Sequence, residues 1–378
     1  MSKARPTLCD VAKLSGVTPA TVSRVLNKKA KFSVSEAVRE RILAAANRLG
    51  YAPDLAARSL NAQRTQIIGI FTSPQTHVAE GIYELLLDGI AEVLRASEYD
   101  VFFDLSAARK HAIPFWRFDG AVLLQSPPME MVAELDRRRV PYVCVNEKLG
   151  NPVAQVLADD RMGMRSVVEH LHQLGHRRIA YANARATYLS HYSVTERYEA
   201  LLELADKLDL ELVRGHDAPF CSASEFLRDT VLVDRATAVI TYDHHIAVSL
   251  VGAAHAMNIR IPEDLSLICF NDVFPVSLMP PPLTAVSVSG REMGRIGAGL
   301  LLNRLGQAKP PAGSTEIRVP EELIVRRSTG PAPLAPHRSK GHTSAARTER
   351  TEPAKVSASA TEPATRPRDP HGPSTTRM

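Results

Sequence analysis

Apolar residues along this chain follow two rhythms, and the change from one to the other marks its organisation. Over residues 1–50 the spacing is helical. Val11, Val17, Val22 and Val25 fall where two short helices would close a small core. Ala12 suits the point where those helices touch, because a larger side chain would push them apart, and Gly16, four residues on, suits a turn with φ > 0. Thr18-Pro19 opens the second helix with a hydroxyl cap and a proline at the first helical position. Ser33-Val34-Ser35-Glu36 reads as the cap region of a third helix, with Val38, Ile42, Leu43 and Ala46 along one face. Pro53 to Asn61 places Ala56, Ala57 and Leu60 on one side of a segment too short to be a stable helix alone in water. A polar linker, Asn61 to Gln66, follows.

From Ile67 onward short apolar runs alternate with amphipathic stretches. The pattern predicts strands at 67–72, 100–105, 119–124, 141–146, 178–182, 211–214, 237–242 and 265–270, with a return through 155–160. Helices are predicted at 80–96, 129–139, 161–174, 195–208, 223–232, 245–257 and 290–306, and strands near 316–327 close the core. Such alternation implies parallel sheets covered by helices, here in two α/β lobes, with ligand space at the carboxyl ends of the strands. Only 13 residues, including Pro114, separate Leu105 from Asp119, so Ala107 to Trp116 has room for a stub of helix, and Trp116 reads as a packing residue there. Residues 331–378 contain eight prolines, one leucine and no Phe, Tyr, Trp or Ile, a composition that cannot bury enough apolar surface to fold.

Charge follows the same division. Residues 1–64 hold 12 Lys+Arg against 4 Asp+Glu, residues 65–330 hold 26 against 33, and residues 331–378 hold 8 against 4. A basic head on an acidic body is the footprint of a nucleic-acid-binding module joined to a body that avoids phosphates. Cys9, Cys144, Cys221 and Cys269 are scattered; three lie in apolar runs and read as small core residues, so neither a metal site nor a disulfide framework is expected. No run approaches the roughly 18 apolar residues of a membrane span, and no signal peptide follows the N-terminal Lys and Arg, so a cytoplasmic protein is expected. No G-x-S-x-G, P-loop or zinc spacing is present, which argues against an enzyme and against a cofactor.

The run Thr7-Leu8-Cys9-Asp10-Val11-Ala12 with Gly16-Val17-Thr18-Pro19-Ala20-Thr21-Val22-Ser23-Arg24-Val25-Leu26-Asn27 resembles the N-terminal signature of the lactose-repressor (LacI/GalR) family. The resemblance continues through Arg39 to Ala46, Leu49-Gly50-Tyr51-Ala52-Pro53, Ala57-Arg58-Ser59-Leu60 and Ile68-Gly69-Ile70, and extends to about residue 330. It implies an all-α helix-turn-helix headpiece (1–52), a hinge helix and linker (53–66), and a two-lobe effector-binding and dimerisation core (67–330) similar to periplasmic sugar-binding proteins, followed here by the 331–378 tail. It further implies a homodimer, a palindromic double-stranded DNA operator and a sugar-like small-molecule effector. The alternative is a DNA-binding regulator whose cleft answers to a protein instead.

The second helix would lie in the major groove. Thr18, Pro19, Ala20 and Thr21 would face DNA, with Thr18, Thr21 and Ser23 suited to phosphate oxygens and Pro19 and Ala20 able to touch thymine methyls or exclude bulk. Arg24 has the reach for guanine O6 and N7, the alternative being a solvated helix face. Asn27 is either a DNA contact or a C-terminal cap. The resemblance implies that Leu60 wedges into the minor groove, with Ala57 on the same face. In the core, Arg197 matches the family's cleft arginine, which grips ligand hydroxyls or carboxylate; a structural ion pair is the alternative. Phe220 falls where an aromatic stacks on the ligand, or belongs to the core. Asp243-His244 replaces the usual Asn-Asp and Asn271-Asp272 the usual Asp-Asp, so Asp243 and Asn271 become the expected ligand contacts, with a helix cap as the alternative role of Asp243.

Overall fold

Three helices, α1 (Leu8–Ser15), α2 (Pro19–Leu26) and α3 (Glu36–Leu49), enclose the first core of the chain. The computed structural model describes residues 6–26, 33–51, 64–72, 81–104, 118–124, 127, 129–150, 153–186, 191–213, 215–307 and 315–333. Helix α1 begins with a reciprocal cap: Asp10 N donates to Thr7 Oγ1 at 3.3 Å and Thr7 N donates to Asp10 Oδ2 at 2.8 Å. It ends at Gly16, whose φ of 68° places it in the left-handed region and whose N–H reaches Ala12 O. Val11, Val22, Val25 and Ile42 are buried between the helices, with Ala12 at the contact and Val17 partly covered. Helix α3 sits in a different phase from the expected one. Leu43 is 44% exposed, and Ala45 takes the inner position with Ile42 and Ala46. The i, i+3, i+4 stripe runs through 42, 45 and 46, and Leu43 lies beside it. Ser35 precedes α3 but makes no side-chain cap bond.

The rest of the described chain forms two six-stranded sheets. The first contains β1 (Ile67–Phe71), β2 (Asp100–Asp104), β3 (Gly120–Leu124), β4 (Tyr142–Val145), β5 (Ala154–Ala158) and β11 (Glu316–Val319), in the order β11-β5-β4-β3-β1-β2 and parallel throughout. The second contains β6 (Arg178–Ala182), β7 (Glu211–Leu212), β8 (Ala238–Thr241), β9 (Ser266–Phe270), β10 (Thr284–Ser287) and β12 (Glu322–Ile324), in the order β12-β10-β9-β8-β6-β7. Only its edge pair β10–β12 is antiparallel. The helices are α4 (Ile82–Arg95), α5 (Met129–Arg138), α6 (Asp160–Gln173), α7 (Tyr192–Lys207), α8 (Ala223–Leu227), α9 (His244–Ala256) and α10 (Gly290–Gly306). Strands β3, β4, β5, β8 and β9 are buried along their whole length, as parallel strands covered on both faces must be.

Helices α4 and α10 approach so closely that side chains are excluded between them. A Cβ on Gly89 would fall 1.9 Å from Arg291 O, and one on Gly294 would fall 2.2 Å from Leu86 O. Around this contact Leu86, Ile90, Met293, Ala298 and Leu301 complete the core of the first lobe.

Several expectations are corrected. The 155–160 return is a full central strand, β5, paired with β4 and β11. The 223–232 helix stops at Leu227 and continues as a π-helical turn over Arg228–Val233, where the Thr230 hydroxyl donates to Phe226 O at 2.7 Å and competes with the backbone ladder. Strand β7 is two residues long. Only Cys144 and Cys269 are buried; Cys9 and Cys221 are exposed. Trp116 lies outside the described residues. At the start of the core, Thr65 N and Gln66 N donate to the Asp119 carboxylate at 2.6 and 3.0 Å. At its end, Ala332 N still donates to Leu174 O at 2.8 Å.

The chain passes between the lobes three times, at Ala158–Asp160, Ser287–Gly290 and Val319–Glu322. The passages are tied together: Asp159 N donates to Val319 O at 2.9 Å, and Ser289 Oγ donates to Pro320 O at 3.0 Å.

Candidate functional site

The headpiece offers one face of α2. Val22 and Val25 point into the core, which turns Ala20 and Arg24, four residues apart, to the opposite side. Thr18, Pro19, Ala20 and Arg24 are exposed, while Thr21 and Ser23 are half-buried at the margin. Thr18 caps the helix through Thr21 N at 3.3 Å, and the two threonine hydroxyls lie 2.9 Å apart. Asn27, Ala57 and Leu60 lie outside the described residues.

The second candidate lies where the lobes meet. Asn146, just after β4, accepts at its backbone oxygen from His191 Nε2 at 2.9 Å, and Tyr192 OH donates to Asn146 Oδ1 at 3.3 Å. Ala158 N, at the end of β5, donates to Tyr192 OH at 3.0 Å. His191 Nδ1 also engages Ser193 Oγ at 2.7 Å, which bonds Tyr242 OH at 2.9 Å. Lys148 and Arg318 on the first lobe both meet Glu196 on α7.

Arg197 stands at the centre of this junction and is 4% exposed. Its Nε donates to Asp160 Oδ1 at 2.5 Å and its Nη1 to Tyr242 O at 2.6 Å. Glu321 Oε1 lies 3.8 Å from Nη2. The rings of Phe270 and Tyr242 lie 4.0 and 5.0 Å from its central carbon. Burial pulls the Arg197 pKa down, but Asp160 and Glu321 outweigh it and the guanidinium stays charged. Burial pushes the Glu321 carboxyl well above the usual carboxylate range, and Asp160 adds to this while Arg197 opposes it. Asp160 is shifted upward for the same first reason, with Arg197 partly offsetting it. Among the described residues, Asp160 Oδ2 and both Glu321 oxygens are buried without a hydrogen-bond partner. The structural ion pair foreseen as the alternative for Arg197 is therefore present.

The other expected effector contacts are placed as follows. Asp243 is buried and caps α9, accepting from Ile246 N at 2.9 Å, so its alternative role is also present. Asn271 has a φ of 70° at the carboxyl end of β9, beside Asp272, which Arg326 holds through two 2.7 Å bonds. Phe220 is buried in the second-lobe core, 5.8 Å from the Phe226 ring. With Asn183, Cys221 and Asp229 it lines a surface cavity of about 530 Å³. Arg197 and Asp243 are brought together around Tyr242, whereas Phe220 packs against Phe226. Sequence reasoning missed Asp160, Glu321, His191 and Tyr242. Its only available signals were the acidic pairs Asp159-Asp160 and Glu321-Glu322 beside apolar runs, and His191-Tyr192 ahead of a helix.

Residues 7–54 match the family described as bacterial regulatory proteins, lacI family, and residues 168–329 match the periplasmic binding protein-like domain. The HTH-type transcriptional regulator CelR of Thermobifida fusca is 32% identical over 345 residues, covering 86% of this chain and 98% of that protein. The chain belongs to the lacI family of bacterial regulatory proteins. Another relative, the transcriptional repressor PurR of Mannheimia succiniciproducens, is 27% identical and spans 85% of this chain and 98% of its own length. A CelR–cellobiose complex superposes with a TM-score of 0.60 at 26% identity, covering 86% of this chain and all of that one. A lacI-family regulator from Silicibacter pomeroyi gives a TM-score of 0.68 at 25% identity, covering 86% and 99%. At 23% identity and a TM-score of 0.71, a lac repressor dimer bound to operator shares the fold, covering 86% and 100%. As a lacI-family member this protein is a helix-turn-helix transcriptional regulator, and its relatives are regulators and repressors rather than enzymes.

Proposed function

We propose that this regulator represses transcription in the cytoplasm by binding a near-palindromic operator as a homodimer, and that a sugar-like ligand held between its lobes controls that binding. The exposed Ala20–Arg24 face of α2, set opposite a closed valine core, carries the DNA-binding part of this reading. One such face contacts too little DNA for tight binding, so two copies must meet two half-sites. The effector part draws on the inter-lobe network around His191 and Arg197, which has one set of contacts for one lobe angle. A ligand shifts such an equilibrium only by its differential affinity for two arrangements, and typical coupling changes operator affinity about 5- to 150-fold.

Footprinting on DNA upstream of neighbouring genes, combined with sedimentation of the complex, tests the first part. A two-fold protected site with two protein chains is expected, and one chain at saturation would refute it. Calorimetry of sugars against the full chain tests the second. The competing reading, a cleft that answers to a protein, is favoured by the engagement of Arg197 with Asp160 and Tyr242, and it predicts no heat with any sugar.

A further inference from the structure

Rotation of one lobe on the other must break or exchange the contacts that join them outside the chain crossings, and one such contact is built from charges. Glu196 lies on α7 of the second lobe, directly before Arg197. Two elements of the first lobe reach it. Arg318 on β11 holds both carboxylate oxygens, with Nη2 donating to Oε1 at 2.8 Å and Nη1 to Oε2. Lys148, in the turn after β4, donates from Nζ to Oε1 at 3.2 Å. The Glu196 side chain is 13% exposed. Burial alone would push its carboxyl up, but Arg318 and Lys148 outweigh this and hold it below the ordinary range. Ion pairs in open solvent contribute little. A carboxylate held by a fork of two parallel N–H groups is the stronger kind, and its geometry is met at one relative placement of the partners.

The same charges have other partners in place. Arg318 Nε donates to Glu316 Oε1 at 2.8 Å, on its own strand. On the second lobe, Arg161 of α6 pairs with Glu203 and, at 3.6 Å, with Glu199. Glu196, Glu199 and Glu203 stand at i, i+3 and i+7, one stripe of α7. Glu203 first, with Glu199 and Glu196 adding, holds the Arg161 pKa up. Separating the lobes therefore strands no charge: Arg318 keeps Glu316, and Glu196 has Arg161 at its own row. A partly buried charge left alone would make release costly. Retained partners keep two arrangements close in energy, which a two-state element requires.

We propose that Glu196 is the latch of the inter-lobe switch: it fastens α7 to Arg318 and Lys148 in the arrangement described, and rotation of the lobes hands Arg318 to Glu316 and Glu196 to Arg161. The latch rests on the reading that the lobe angle controls operator binding. It sets, apart from any ligand contact, how much of the protein stands in each arrangement before a ligand arrives.

The test pairs operator titration with hydrogen exchange of the full-length protein. The Ala158 amide reports the junction, because it donates across the lobes to Tyr192 OH at 3.0 Å. Arg318→Gln and Glu196→Gln each weaken the latch, so this amide should exchange faster and operator affinity should change about 5-fold or more. The double variant should match Glu196→Gln alone, since Glu196 is the shared partner. Glu316→Gln removes the partner that Arg318 falls back on and should shift both readings the opposite way. These signs hold whichever arrangement binds DNA. Additive changes in the double variant, a Glu316→Gln shift in the same direction as Arg318→Gln, or unchanged exchange in Glu196→Gln would overturn the proposal and leave the effector reading intact. Exchange that moves as expected while operator affinity stays fixed would overturn the lobe-angle reading itself, and the latch with it. If the Arg318 variant does not fold, Lys148→Gln repeats the test from the exposed end of the contact and should shift both readings in the direction of Glu196→Gln, by less; a shift the other way would overturn the proposal.

Discussion

Arg24 and Glu321 are single side chains in opposite surroundings. Arg24 is exposed on the face of α2 turned away from the valine core, with the reach to read a base edge. Arg24→Ala should weaken operator binding by about 1–3 kcal/mol and random-DNA binding far less, measured by titration of both DNAs at one salt concentration. Equal losses would place Arg24 on phosphate. Glu321 is the opposite case, a buried carboxyl that, among the described residues, has no hydrogen-bond donor. Its folded pKa lies above its ordinary value because of burial, so the folded state holds the proton more tightly than the unfolded one. The stability this gives is complete below the ordinary carboxylate pKa and is lost as pH rises through the folded value. Glu321→Gln removes that loss. The variant should gain on the wild type as pH rises above the ordinary carboxylate range, read from urea unfolding; a pH-independent difference would refute the account. Arg197→Ala is a poor probe of ligand binding for a related reason. It strands two buried carboxyls and should cost about 3–5 kcal/mol of stability before any effector is added.

At the scale of elements, the contact between α4 and α10 is a tight backbone-to-backbone constraint. Backbone carbonyls occupy the space where Cβ atoms of Gly89 and Gly294 would stand. Gly294→Ala should therefore destabilise the core by about 3 kcal/mol or more, although alanine is the better helix former. An unchanged urea midpoint would mean that the helices separate freely. Neither glycine was singled out by the sequence, because helical periodicity marks which face is buried but not how near the facing helix comes. Gly16 was legible, since its turn is local and needs only a φ that glycine adopts freely. Strand positions were legible for a similar reason: runs such as Ala238–Thr241 and Ser266–Phe270 are apolar on both faces. The π-helical turn at Arg228–Val233 was not, because apolar periodicity does not report a change in the helix's hydrogen-bond spacing. Leu43 was misplaced by a single helical position. The Arg197 junction was half legible: the arginine could be found, but its partners arrive from Asp160 and Glu321, far away in the chain.

At the scale of the whole molecule, the tail and the crossings set opposite expectations for truncation. Residues 334–378 lack Phe, Tyr, Trp and Ile and carry a single leucine. Deleting them should leave the melting temperature and dimerisation unchanged, because such a composition contributes no burial; a fall of several degrees in a thermal melt would refute this. The last strands behave otherwise. Strand β11 completes the first sheet beside β5, and β12 completes the second beside β10, with only Pro320 and Glu321 between the two strands. Neither lobe is a contiguous stretch of sequence. During synthesis, β5 and β10 therefore emerge from the ribosome with one edge bare and wait for residues 316–324 to cover them. Bare edges of apolar parallel strands are templates for pairing with other chains. A nascent regulator stalled or nonsense-terminated after α10 would thus present two sticky sheets at once, a substrate for chaperones and proteases rather than a stable fragment.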